Sequence, residues 1–258
     1  MNIPLLRFLP LLGLALLGAG SLRAADTAAR VYELRTYTAQ PGKLPNIVAR
    51  FRDHTTKLFE KHGMVNLGYF TPLDAADGAG EKLVYVLEHA SREAARASWK
   101  AFSADPEWRA VAKASEVDGK IVAKVESVFL EATDFSPAAF KSAGTARVFE
   151  LRTYTTPEGK VANLDARFRD HTTRLFEKHG MMNIAYWHPV DAAQGSGRTL
   201  VYIIAHPSRE AATASWAAFR ADPVWVAAKT ASEKAAGGSL TTEVKSVFLA
   251  PTDFSMLK

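Results

Sequence analysis

Residues 31–38 (VYELRTYT) alternate with a period of two. Val31, Glu33, Arg35 and Tyr37 fall on one face and Tyr32, Leu34 and Thr36 on the other, and the β-branched and aromatic content predicts a strand. After a Pro41-Gly42 turn the period changes. From Lys43 to His62 the apolar positions Leu44, Ile47, Phe51, Leu58 and Phe59 follow helical spacing, with Gly63 where a left-handed C-cap belongs. Further strands are predicted at 65–71 and 83–88, around the turn-rich stretch 72–81. Ser91 is placed to cap a helix over 92–102, and Asp105-Pro106 to open another that carries Trp108. A strand at 125–130 completes a βαββαβ order, the ferredoxin-like arrangement.

The whole pattern then recurs. Residues 51–64 read FRDHTTKLFEKHGM and residues 168–181 read FRDHTTRLFEKHGM, differing only at Lys57 and Arg174. Arg35 returns as Arg152, His62 as His179 and Trp99 as Trp216, each 117 positions on. That period is the size of a domain, well beyond the roughly 20–50 residues of solenoid units. Near the end the spacing becomes 119, because residues 127–129 match 246–248, and the extra pair is placed at Gly237-Gly238 in a loop. The division read from this is a first domain at 30–136, a linker at 137–146 and a second domain at 147–256. Each ferredoxin-like domain covers one sheet face with helices and leaves the other bare, so the bare faces should pack together within the chain. The expected result is an α+β molecule, a two-sheet sandwich or barrel with helices outside. The faces bearing Glu33, Arg35, Tyr37, Glu150, Arg152 and Tyr154 are expected to point into the space between the sheets.

Ahead of the repeats, residues 1–24 read as an export signal: Arg7 in a short basic start, an apolar run over 8–20, and small residues at Ala24 and Ala25 for cleavage. The run is short of the roughly 20 residues that span a bilayer, so stable membrane insertion after cleavage is not expected. The destination implied is the bacterial periplasm. With no cysteine, the chain forms no disulfide, thiolate nucleophile or iron-sulfur site. The formal charge of +5 falls to +3 once Arg7 and Arg23 leave, and the remaining basic residues are interleaved with acids. Nucleic-acid binding needs a concentrated basic patch and is not expected.

The strand YELRTY with its Pro-Gly turn, the helix ending LFEKHG and the Asp-Pro-x-Trp element, each present twice, together resemble the NIPSNAP family. The resemblance covers essentially all of both repeats. It implies two tandem ferredoxin-like domains in an intrachain dimeric α/β-barrel-type arrangement. Relatives on that fold include cofactor-free monooxygenases, haem-degrading enzymes and proteins without known chemistry, so fold alone does not assign a reaction. Eukaryotic members are associated with mitochondria and partner recruitment. The export pattern of this chain departs from that setting, and their cellular role is not carried over.

Glu33 and Arg35, two apart on one strand face, can pair with each other or hold an acidic ligand, and Tyr37 adds a phenol. Glu150, Arg152 and Tyr154 repeat the set. If the acids and arginines satisfy one another, the set is a buried structural pair. If not, Arg35 and Arg152 would anchor a small, partly apolar, acidic molecule between the sheets. A cofactor-independent oxygenase or isomerase, with Tyr or His handling a proton, and a non-catalytic interaction module are the alternatives. No metal site is assigned, because His54 and His62 stand about 12 Å apart along one helix. No cofactor is assigned either; a haem held by one axial histidine stays open. Homo-oligomerisation is likewise left open. The tryptophans at 99, 108, 216 and 225 read as core. The copies differ at Gly68/Ala185, Phe70/Trp187, Thr71/His188 and Glu88/Ala205, which predicts unequal cavities.

Overall fold

The computed structural model describes residues 30–140, 142 and 147–258. The predicted export segment and part of the linker lie outside the described residues. Repeat 1 forms β1 (Val31–Ala39), α1 (Leu44–Arg50), α2 (Thr56–Lys61), β2 (Val65–Pro72), β3 (Lys82–His89), α3 (Arg92–Ala104), α4 (Pro106–Ser115) and β4 (Val122–Ala132). Repeat 2 forms β5 (Val148–Thr155), α5 (Val161–Arg167), α6 (Thr173–Lys178), β6 (Met182–Pro189), β7 (Thr199–His206), α7 (Arg209–Ala221), α8 (Pro223–Ala236) and β8 (Glu243–Pro251). The predicted caps act as expected. Ser91 Oγ accepts the Ala94 N–H at 3.0 Å, and Asp105 accepts the Glu107 N–H at 2.8 Å ahead of Pro106. The helix predicted over 43–62 is interrupted by a π-helical turn at Phe51–Thr55, where the Thr55 hydroxyl donates to the Arg50 carbonyl, and repeat 2 has the same turn at Phe168–Thr172.

All eight strands close into one barrel in the order β1-β3-β2-β8-β5-β7-β6-β4. The repeats are joined at two short antiparallel seams, with Phe70 opposite Pro251 and Leu130 opposite Pro189. The lumen is apolar and shared: Leu34, Val86 and Leu130 of repeat 1 pack with Phe149, Ile203 and Leu249 of repeat 2. Outside the barrel each sheet forms a separate core with its own helices, around Phe51, Phe59 and Tyr85 in one repeat and Phe168, Phe176 and Tyr202 in the other.

The direction expected for the polar strand faces is corrected here. Glu33, Arg35 and Tyr37, with Glu150, Arg152 and Tyr154, point away from the lumen and lie beneath the helices, where Glu33 accepts a hydrogen bond from Trp99 of α3 and Glu150 one from Trp216 of α7. Alternation sorts side chains into two faces without saying which meets the helices. A buried carboxylate goes where donors are, and the helix side supplies them.

The seams are reinforced by a motif that follows the last strand of each repeat. Thr133-Asp134-Phe135-Ser136 recurs as Thr252-Asp253-Phe254-Ser255, and each copy grips the opposite repeat. Ser136 Oγ accepts the Tyr186 N–H and Ser255 Oγ the Tyr69 N–H, both at 3.0 Å. Phe135 packs on Phe168 and Tyr186, Phe254 packs on Tyr69, and Asp134 and Asp253 pair with Arg169 and Arg52. The extra residues of repeat 2 lengthen a helix: α8 has 14 residues against 10 in α4, and Gly237 then ends it at φ 73°. That conformation is one that glycine adopts without a Cβ penalty.

Candidate functional site

Each repeat builds the same polar node under its helices. The Glu33 carboxylate is 1% exposed and accepts four hydrogen bonds: Arg35 Nη1 and Ser127 Oγ (2.6 Å) on Oε1, His89 Nε2 (3.0 Å) and Trp99 Nε1 (2.7 Å) on Oε2. Glu150 repeats the set with Arg152, Ser246, His206 and Trp216. Burial pushes each carboxyl up, but the histidine bond, the arginine charge and the Ser and Trp donors outweigh it and hold both at about 2. The arginines sit over indole rings, Arg35 at 4.2 Å from the centre of Trp99 and Arg152 at 4.3 Å from that of Trp216. Both glutamates are thus fully occupied by the protein, the structural pairing weighed for these residues.

The two arginines differ in what remains free. Arg35 Nε donates to Tyr85 at 2.8 Å. Arg152 instead reaches Tyr154 through Nη2 at 3.2 Å, and its Nε and the Tyr202 hydroxyl have no hydrogen-bond partner among the described residues. Arg152 lines a cleft of about 500 Å³ between β5, β8 and the helices α7 and α8, with Tyr154, Trp216, Phe219, Trp225 and Phe248 as its apolar walls. Arg209, Arg220 and Lys229 stand at its rim. Arg209 is shared, since it lies 3.9 Å from the Phe248 ring and pairs with Asp74 of repeat 1 at 2.8 Å. Arg220 and Lys229 are exposed and make no ion pair among the described residues. Against these cations the cleft offers one carboxylate, Glu150, already consumed. A cleft with aromatic walls and unbalanced positive charge suits an anion carrying a flat apolar body.

Positions flagged by comparing the copies fall elsewhere. Trp187 is buried in the lumen against Tyr32 and Phe140, and His188 hydrogen-bonds Asp165 (3.0 Å) and the Thr199 carbonyl (2.7 Å). The differences that shape the cleft are on the helices, where Ser103 and Ala112 of repeat 1 become Arg220 and Lys229, while Arg96, paired with Glu93, becomes Thr213. His62 and His179 bond the helix-capping Asp105 and Asp222 at 2.7 and 2.8 Å, and hold those carboxyls, together with Lys61 and Lys178, below the usual range. His54 is exposed. His89, His206 and the Trp99 and Trp216 N–H groups were missed as members of the node; a tryptophan N–H that must find an acceptor when buried is the signal that could have found the last two.

The NIPSNAP family model matches residues 32–137 and again 149–256. The chain belongs to the NIPSNAP family. Among solved structures, a candidate monooxygenase from Lactobacillus acidophilus is 11% identical, with 89% of this chain and 99% of that chain covered and a TM-score of 0.55. A second, from Fusobacterium nucleatum, is also 11% identical, with coverage of 90% and 99% and a TM-score of 0.52. An anthrone oxidase-like protein is 14% identical over 90% of this chain and 94% of its own, with a TM-score of 0.53. At these identities the likeness is one of fold, a tandem α/β barrel. A comparison with curated proteins finds no match. No helix among the described residues is long and apolar enough to cross a membrane.

Proposed function

We propose that this NIPSNAP-family protein is exported to the periplasm and binds a small, partly apolar, acidic molecule, held in the repeat 2 cleft between the sheet and α7/α8. The observation that carries the reading is the charge imbalance of that cleft: Arg152, Arg220 and Lys229 face aromatic walls, and Glu150, the one carboxylate among the described residues that line it, is already bound by four donors. Repeat 1 keeps the same node with Ser103 and Ala112 at the rim and serves the fold. The anion would approach the face of Arg152 not used by Glu150, stacking its apolar body beside Trp216 and Trp225. Export rests on the pattern of residues 1–24, and the amino-terminal sequence of the mature protein tests it.

The test of binding gives repeat 2 the rim of repeat 1. Arg220→Ser with Lys229→Ala should leave the melting temperature nearly unchanged, since exposed substitutions cost within about 0.5 kcal/mol. Binding of an aromatic carboxylate such as naphthoate, read by tryptophan fluorescence, should weaken about tenfold. Unchanged affinity in the double variant sinks the reading. Consumption of the bound acid in air would carry the oxygenase alternative instead.

A further inference from the structure

Behind the cleft lies a second, smaller cavity of about 180 Å³, which shares Tyr154, Phe219, Trp225 and Lys229 with it and continues to Arg167, Ser239 and Thr241. Arg167 is 5% exposed and rests 5.2 Å from the Trp225 ring. Its Nε and Nη1 have no hydrogen-bond acceptor among the described residues, and Glu233 stands 3.6 Å from Nη1, beyond hydrogen-bond reach. In repeat 1 the equivalent Arg50 also has an idle Nε and a glutamate, Glu116, at 3.6 Å, but its Nη1 donates to Ser115 at 3.1 Å. A buried guanidinium with idle donors is costly unless something completes its shell.

The walls have changed in the same direction. Where repeat 1 has Ala112 and Val122, the latter packed on the outer core, repeat 2 has Lys229 and Thr241. Ser239 and Thr241 follow the Gly237-Gly238 turn that the longer α8 introduces. One apolar position of the wall has thus become a cation and another a hydroxyl, beside the retained Arg167 and with Glu233 as the opposing charge. Burial depresses the Arg167 guanidinium, an effect Glu233 only partly offsets, and a second anion would reverse it.

We infer that the repeat 2 site is bipartite: the cleft at Arg152 takes one anionic group and the inner cavity at Arg167 takes another, so the ligand class is an elongated apolar molecule with acidic groups at both ends. The inference rests on the binding function proposed for the outer cleft. The shared aromatic wall of Phe219 and Trp225 would hold the body between the two charges.

The experiment compares naphthoate with a naphthalene dicarboxylate whose acids lie at opposite ends, by calorimetry on the full chain. The dicarboxylate should bind at least about tenfold tighter, the order expected of an added hydrogen bond between charged groups. Arg167→Gln combined with Glu233→Gln, which removes both inner charges, should abolish that advantage while leaving naphthoate affinity within about twofold. If this variant does not fold, Ser239→Glu in the exposed turn supplies a repelling carboxylate and should do the same. Equal affinities for the two acids overturn the bipartite site and leave the outer cleft standing. An advantage that survives in the folded variant also overturns it, since it then reflects net charge alone. Failure of both acids to bind removes the proposed function and this inference with it.

Discussion

The two outer faces of the barrel share one polar node and use it differently. In repeat 1 the Glu33 node is closed: Arg35 is divided between Glu33 and Tyr85, and the helix positions above it are Ser103 and Ala112. In repeat 2 the same node is left open, with Arg152 turned to Tyr154 and Arg220 and Lys229 added at the rim beside Arg209. The node itself is therefore structural in both copies, and the capacity for a ligand comes from the helices laid over it. A duplicated domain lets one copy keep the architecture while the other changes its surface.

Separating the repeats breaks this comparison most severely. Fragments 30–136 and 147–256 each expose half of the shared lumen, and neither should persist as a monomer; each should form a homodimer or precipitate. Sedimentation of the fragments checks this, and a stable monomer with full helical content contradicts the barrel account. If both dimers form, only the 147–256 dimer should bind aromatic carboxylates.

Within the full chain, Arg35→Met and Arg152→Met should be equally destabilising, by about 3–5 kcal/mol, because each removes the charged partner of a buried glutamate. For a chain of this size that is a fall of roughly 10 °C in melting temperature. Ligand binding should suffer only from Arg152→Met. Unequal melts would mean that the nodes are not equivalent; equal binding losses would mean that both clefts are occupied.

Acid should affect the two nodes alike. Glu33 and Glu150 have folded values of about 2 against an ordinary value of 4.5, so their contribution is present above about pH 4.5 and is lost as pH falls toward 2. Each accounts for about 3 kcal/mol. Stability curves from pH 6 down to about 2 should therefore steepen below 4.5, and Glu33→Gln and Glu150→Gln should each remove a similar share of that slope.

The smallest effect sharpens the contrast from the other side. Ser103→Arg with Ala112→Lys should leave stability within about 0.5 kcal/mol and give repeat 1 weak affinity for naphthoate, seen as a second, weaker site in calorimetry. If no second site emerges, the turn of Arg152 and the longer α8 matter more than the rim charges.

Much of this organisation was legible in the residues. The duplication, the strand and helix order, the caps at Ser91 and Asp105 and the need of two bare sheet faces for each other all follow from local pattern. The two polar faces were also found, but their direction was reversed. Glu33 and Arg35 suggested a ligand between the sheets, whereas their donors Trp99, His89 and Ser127 come from a helix and two strands whose meeting is a tertiary event. The Thr-Asp-Phe-Ser clasps were visible as a repeat and passed over, because their partners Tyr186 and Tyr69 lie in the opposite copy. The contrast between the clefts was sought on β2 and β6, but it resides at Arg220 and Lys229, which only the packing of α7 and α8 brings above Arg152.

The exchanged clasps bear on how the molecule comes apart. Because Phe135 belongs to the core of the second repeat and Phe254 to that of the first, neither half can open locally without pulling a strand end from the other. Partial unfolding is thereby suppressed, and the two halves should unfold as one cooperative unit, with calorimetric and van't Hoff enthalpies that coincide. Such coupling spreads the cost of any local weakness over the entire barrel. The idle buried donors at Arg50 in one half and at Arg152 and Arg167 in the other are held in place by the same frame.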